Sequence, residues 1–244
     1  TDSSGKPLSD AYNAERARNE PLYEISQIKG TSETTPSLSP NDEFAGFELW
    51  DYTLSADAER PTHIEGSYVR RALLDGLLLS SRGKGNPFKY GFIGDSDTHN
   101  AAASNEEFNY TGKFGIESDP KHRLNGFPGQ PPGQIQQIRE FSSGGLAGVW
   151  AQENTRDALF DAMRRREAYG TSGPRIISRF FGGWNFPADL CAAPDRIEHA
   201  YAQGVPMGSS LPNGQDAQLL PTFLVAASQD VGTANSPGMP LQRL

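Results

Sequence analysis

Five consecutive residues, Asp95-Ser96-Asp97-Thr98-His99, bring together two carboxylates and an imidazole. In an extended chain, alternate side chains share a face. Asp95, Asp97 and His99 would then point one way, and Ser96 and Thr98 the other. Neighbouring carboxylates repel unless a positive charge lies between them, and a divalent metal is the usual source of that charge. The same letters also suit an Asx-type turn capping a helix, which needs no ligand. Asp95, Asp97 and His99 are all candidates on the metal reading.

A cluster of this kind needs a rigid support, and the preceding run Phe88 to Ile93 is apolar enough to be a buried strand. A second strand is expected over Leu22–Ile28, where apolar and polar residues largely alternate. The loop Lys29-Gly30-Thr31-Ser32-Glu33-Thr34-Thr35-Pro36 follows it directly. Sites in α/β proteins sit at the C-terminal ends of strands, which makes Glu33 a further candidate. Between the two strands, Val69, Ala72, Leu73, Gly76 and Leu77 mark one face of a helix that opens near Ser67 and ends at Gly83 and Gly85. Strand, helix and strand in that order predict a parallel pair with both loops at one edge, an arrangement that could bring Glu33 towards Asp97 and His99.

Other helices are expected over Asp10–Asn19, with Ser9 or Asp10 as cap and Pro21 as stop, and after Asn154 or Thr155, with Gly170 as stop. Residues 101–150 are rich in Gly, Pro, Gln and Asn and suggest a long insertion without regular structure. It closes on Ser142–Ala151, whose glycines permit close backbone approach. Strands are expected at Ile176–Phe181 and Pro221–Ala227, among frequent turn signals. In the acidic piece Ser37–Thr62, the aromatics are expected to pack beneath the loop.

The 244 residues carry a formal charge of −8, which argues against a nucleic-acid partner. Only 36% are hydrophobic, with Gly 26 and Pro 18, so long loops are expected. No apolar run is long enough to span a membrane. The single Cys191 excludes an internal disulfide and reads as a small buried hydrophobe. The composition fits a cytoplasmic protein and an exported, periplasmic one equally.

The run Lys89 to Ala101 resembles the family of unknown function DUF3604. So do Gly144–Ala151 with Glu153-Asn154-Thr155-Arg156, Arg166-Glu167 with Thr171–Ile176, and Gly204–Gly208. That family looks related to the PHP superfamily of metal-dependent phosphoesterases. The resemblance implies an α/β chain, with part of a distorted β/α barrel over residues 1–172 and the start of a small β-rich domain over 173–244. It implies hydrolysis of small-molecule phosphate or sulfate esters by a metal-activated water. Asp97 and His99 match the superfamily's last Asp-x-His metal motif, and Glu33 the acid after an earlier strand. Asn154 and Arg156 are substrate-contact candidates. Oxygen and imidazole donors imply Mn, Zn or Fe. Two departures accompany the resemblance: no His-x-His motif is present, and Thr35 stands where the family pattern Glu-Thr-His-Pro carries histidine. The chain is therefore expected to lack an N-terminal part of the same domain. Two other classes are open. One is a serine esterase, because Gly94-Asp95-Ser96 resembles the Gly-Asp-Ser block of a lipase family. The other is a non-catalytic fragment.

Overall fold

The computed structural model describes residues 4–102, 106–214 and 218–243. It is mixed α/β, with three separate sheets of three, two and three strands, none of which closes into a barrel among the described residues. The chain forms two compact units. The first comprises residues 1–147 and 170–174, and the second residues 148–169 and 175–244.

In the first unit, helix α1 (Asp10–Asn19) begins where the Ser9 hydroxyl accepts a hydrogen bond from the Tyr12 N–H, as expected of a serine cap. Strand β1 (Leu22–Gln27) follows Pro21 and turns through Ile28 and Lys29 into the short antiparallel β2 (Gly30–Thr31). Gly30 is required here. It sits at φ +76°, and a Cβ would lie 1.9 Å from the Glu48 carbonyl oxygen. Helix α2 (Val69–Ser81) then leads to β3 (Gly91–Gly94), which pairs parallel with β1. The sheet order is β2-β1-β3, and the expected strand-helix-strand step is present. One detail of α2 differs. Val69 and Gly76 are buried, but Leu77 is exposed, together with Leu74 and Leu78. The buried edge of the helix runs through Val69 and Gly76, and Asn86 lies so close to Gly76 that a Cβ there would meet its Oδ1 at 2.2 Å.

The stretch 101–150 is less irregular than its composition implies. It contains 3₁₀ turns at Glu107–Asn109 and Gly115–Ser118, and two helices, α3 (Pro120–Asn125) and α4 (Pro132–Arg139). Pro120 and Pro132 are helix-starting residues, because a first-turn proline lacks only an N–H that has no intrahelical partner anyway, whereas Pro128 lies in the turn between the two helices. Asp119 caps α3 by accepting from the Lys121 N–H. Gln137 of α4 donates to the carbonyls of Thr53 and Ser55, and Trp50 packs with Tyr52 and Phe141. Phe44 and Phe47 in the same loop stay exposed, so the expected aromatic packing is only partial.

Strands β4 (Leu146–Val149) and β5 (Ala168–Thr171) pair with each other. Between them lies α5 (Arg156–Arg164), capped by the Thr155 hydroxyl on the Ala158 N–H. Gly170 does not stop this helix. Arg166 does, at φ +65°. The Arg166 N–H bonds the Met163 carbonyl and the Glu167 N–H bonds the Ala162 carbonyl, as in a Schellman ending. Gly170 lies inside β5, where a Cβ would come within 2.6 Å of the Gly94 nitrogen. In the second unit, β6 (Ile177–Gly183) lies between β7 (Gly204–Pro206) and β8 (Thr222–Ser228), antiparallel to both. Helix α6 (Arg196–Gln203) precedes β7. Phe181, Leu190, Ala200 and Leu224 form its core. Cys191 is exposed rather than buried, because Leu190 is the residue of its one-turn 3₁₀ segment that points inward.

Candidate functional site

The C-terminal ends of the parallel strands β1 and β3 lie side by side, and the Asp95–His99 segment leaves the sheet there. Asp95 is fixed by its backbone: its N–H bonds the Ser26 carbonyl and its carbonyl accepts from the Gly145 N–H. The glycines of the Ser142–Ala151 segment do what their composition suggests. A Cβ at Gly144 would lie 2.7 Å from the Ser96 Cα, and one at Gly145 would lie 2.9 Å from the Ser26 carbonyl oxygen. Only bare backbone fits against this corner of the sheet.

Beyond Gly94 the chain does not stay extended. Asp97 adopts φ +51°, so the expected alternation of faces is lost after two residues. Asp95 is exposed and its Oδ1 accepts from the Ser96 N–H at 2.6 Å. The buried Ser96 hydroxyl lies 3.1 Å from Thr98 Oγ1 and accepts from the Thr98 N–H, a local serine turn. The turn-forming reading of these letters is thus realised locally, and residues 98–102 form no helix.

Asp97 turns inward and receives two ammonium groups. Lys113 Nζ donates to its Oδ2 at 2.5 Å, and Lys29 Nζ donates to the same oxygen. All three side chains are largely enclosed, with relative exposures of 25% for Asp97, 17% for Lys29 and 11% for Lys113. Burial alone would push the Asp97 carboxyl up, but the hydrogen bonds and charges of Lys113 and Lys29 outweigh it and hold the group below the ordinary carboxylate range. Burial also brings the Lys29 ammonium down. Asp97 opposes that change and Lys113 adds to it, so Lys29 sits below an ordinary lysine.

Each lysine is placed by backbone. Lys29 occupies the two-residue turn between β1 and β2, next to the fully buried Ile28. The Lys113 carbonyl accepts from the His99 N–H at 2.7 Å. Its N–H donates to Glu117 Oε2, which also accepts from the Phe114 N–H. Glu117 is completely buried. Beside Asp97, the His99 ring is half exposed and rests edge-on against Phe114. Its Nδ1–H donates to the Asp97 carbonyl at 2.9 Å and lies 3.9 Å from Asp97 Oδ1. In the neutral ring this arrangement makes Nε2 the acceptor nitrogen.

Asp97 and His99 thus come together, but Glu33 does not join them. It accepts from Arg70 Nε at 2.8 Å and from Arg70 Nη2 at 2.5 Å, and Arg70 also pairs with Asp42. Arg70, in the first turn of α2, thus bridges the two acids of the preceding loop. Asn154 and Arg156 belong to the second unit, where both are exposed; Arg156 is the first residue of α5. Among the described residues, no three His, Cys, Asp or Glu side chains converge as metal ligands. The set Glu33, Asp97 and His99 does not fit a metal ion as folded, since each carboxylate is already neutralised by a basic side chain of the chain itself. The positive charge that adjacent carboxylates demand is present. It comes from Lys29, Lys113 and Arg70. Sequence reasoning passed over the two lysines, although Lys29 opens the very loop singled out at the end of β1. Lys113 lies in the insertion with no local signal.

The family model described as "Protein of unknown function (DUF3604)" matches residues 1–244, and the chain belongs to that family. No curated protein and no solved structure matches it.

Proposed function

We propose that this DUF3604 chain takes part in the hydrolysis of phosphate or sulfate esters, with the corner formed by Lys29, Asp97, His99 and Lys113 as the site of charge handling. The observation that carries the reading is the grouping of an imidazole with a free Nε2 beside two enclosed ammonium groups at the strand ends. Ester hydrolysis needs positive donors for the charge that builds on the phosphoryl or sulfuryl oxygens, and a group that exchanges a proton with water or the leaving oxygen. His99 suits the second task, because its Nδ1–H is held by a backbone carbonyl and its orientation does not depend on substrate. The likeness of Asp97-x-His99 to the PHP motif and the parallel β1-α2-β3 step, which a β/α barrel would repeat, support the same class.

Among the described residues, Glu33, Asp97 and His99 do not assemble as metal ligands. The serine-esterase alternative lacks a base. Ser96 Oγ bonds Thr98, and no histidine nitrogen bonds it among the described residues. The test is turnover of an aryl phosphate and an aryl sulfate by wild type and His99→Ala, each with and without added Mn or Zn. Loss of about 100-fold or more in the variant is expected, in line with removal of a positioned proton-transfer group. Equal rates in the two proteins would overturn the proposal.

A further inference from the structure

We infer that Lys29 and Lys113 form a binding site for a tetrahedral oxyanion, with Asp97 as its built-in competitor, and that the site works without a metal ion. This rests on the ester-hydrolase reading only for its physiological meaning; the binding itself can be measured separately.

An ammonium group has three N–H donors. Among the described residues the only acceptor for the side chain of either lysine is Asp97 Oδ2. The two groups therefore bring more donors to the site than the chain accepts. Enclosed lysines are rare, and those that occur are paired. Here a single carboxylate faces two of them, so these three side chains carry a net positive charge. A second anion with several acceptor oxygens would complete the pairing, and phosphate and sulfate have both the charge and the oxygens to bridge two ammonium groups.

The site is also pre-organised. Lys29 is held in a two-residue turn backed by Ile28 and by Gly30, where no side chain fits. Lys113 is held by the Glu117 carboxylate on its own N–H and by the His99 N–H on its carbonyl. Such anchoring lowers the ordering cost of binding. Asp97 plays two parts. It keeps the two ammonium groups together in the absence of an anion, and its own charge weakens the attraction for one. At φ +51° asparagine is well tolerated, so Asp97→Asn removes the charge and preserves the backbone.

The test is titration of the EDTA-treated protein with inorganic phosphate and, separately, with sulfate, followed by calorimetry, with chloride at matched ionic strength as control. Wild type should bind both oxyanions. Lys29→Met and Lys113→Met should each weaken binding at least about tenfold while circular dichroism shows them folded. Asp97→Asn should bind several-fold more tightly than wild type. The inference is overturned if wild type and Asp97→Asn bind neither oxyanion, if folded lysine variants bind as wild type does, if binding appears only with added Mn or Zn, or if Asp97→Asn binds more weakly. Oxyanion binding with no turnover of either aryl ester would retire the hydrolase reading and leave this one standing. Turnover with no oxyanion binding would do the reverse.

Discussion

Each unit encloses an acid among basic side chains, and the two arrangements differ in how their hydrogen bonds balance. In the second unit, Glu167 is buried. Its Oε1 accepts from the Tyr201 hydroxyl and its Oε2 lies 3.5 Å from Arg165 Nη2. Arg179 donates to the Tyr201 hydroxyl, and its guanidinium carbon lies over the Trp150 ring, 3.4 Å from its centre. Trp150 in turn donates to the Ser178 carbonyl. Both carboxylate oxygens have partners, and the spare face of the cation is covered by an aromatic ring. In the first unit, the corner at Asp97 has more donors than acceptors and a half-exposed imidazole at its edge. A closed network of the first kind holds structure together, whereas an unbalanced one retains the capacity to bind.

The comparison can be broken from the structural side first. Glu167→Ala removes a buried carboxylate that accepts from the Tyr201 hydroxyl and pairs with the more exposed Arg165. It should cost about 3 kcal/mol in urea unfolding. Oxyanion titration should be unchanged. A variant with wild-type stability, or with altered oxyanion affinity, would show that the two regions have been assigned the wrong roles.

Asp97→Asn is the matching change in the first unit. It should cost about 2 kcal/mol at neutral pH, since two enclosed ammonium groups lose their charged partner. The pH dependence follows from the depressed carboxyl of Asp97. A carboxylate whose folded pKa lies below its unfolded value stabilises the fold above the ordinary carboxylate pKa, and that contribution is lost as pH falls through the folded value. Stability curves of wild type and Asp97→Asn should therefore differ most near neutral pH and converge as the pH drops from about 5 towards 2. A gap that stays constant over that range would mean that the charge of Asp97 contributes nothing.

The smallest effect sharpens the contrast by removing a feature common to both units. Ser9→Ala and Thr155→Ala each delete a helix cap and should cost about 1 kcal/mol. Neither should alter oxyanion binding. A larger loss for one cap, seen in thermal unfolding, would identify the unit that limits stability.

Much of the local structure was legible in the residues. The Ser9 cap, the stop at Pro21 and the Thr155 cap depend on neighbours a few positions away. So does the apolar run that becomes β3, and the parallel pairing followed from element order alone. Errors arose where one letter serves two purposes. Proline at a first helical turn looked like loop in 120–139. Gly170 looked like a helix stop but is a point of close backbone contact, while Arg166 took the left-handed position. Helix α6 was hidden among turn signals.

By itself the sequence determined which chemistry gathers at the end of β3, namely carboxylate and imidazole within five residues, and that their charge needs a positive partner. Only the tertiary structure decided what that partner is. Asp97 is joined to Lys29 across 68 positions and to Lys113 across 16, and Glu33 to Arg70 across 37. Periodicity and capping are short-range properties that a single stretch of chain carries. An ion pair between distant residues depends on how several backbones close on one another, here through glycines that let the 142–145 segment lie directly on the strand ends. That closure sets which charges meet.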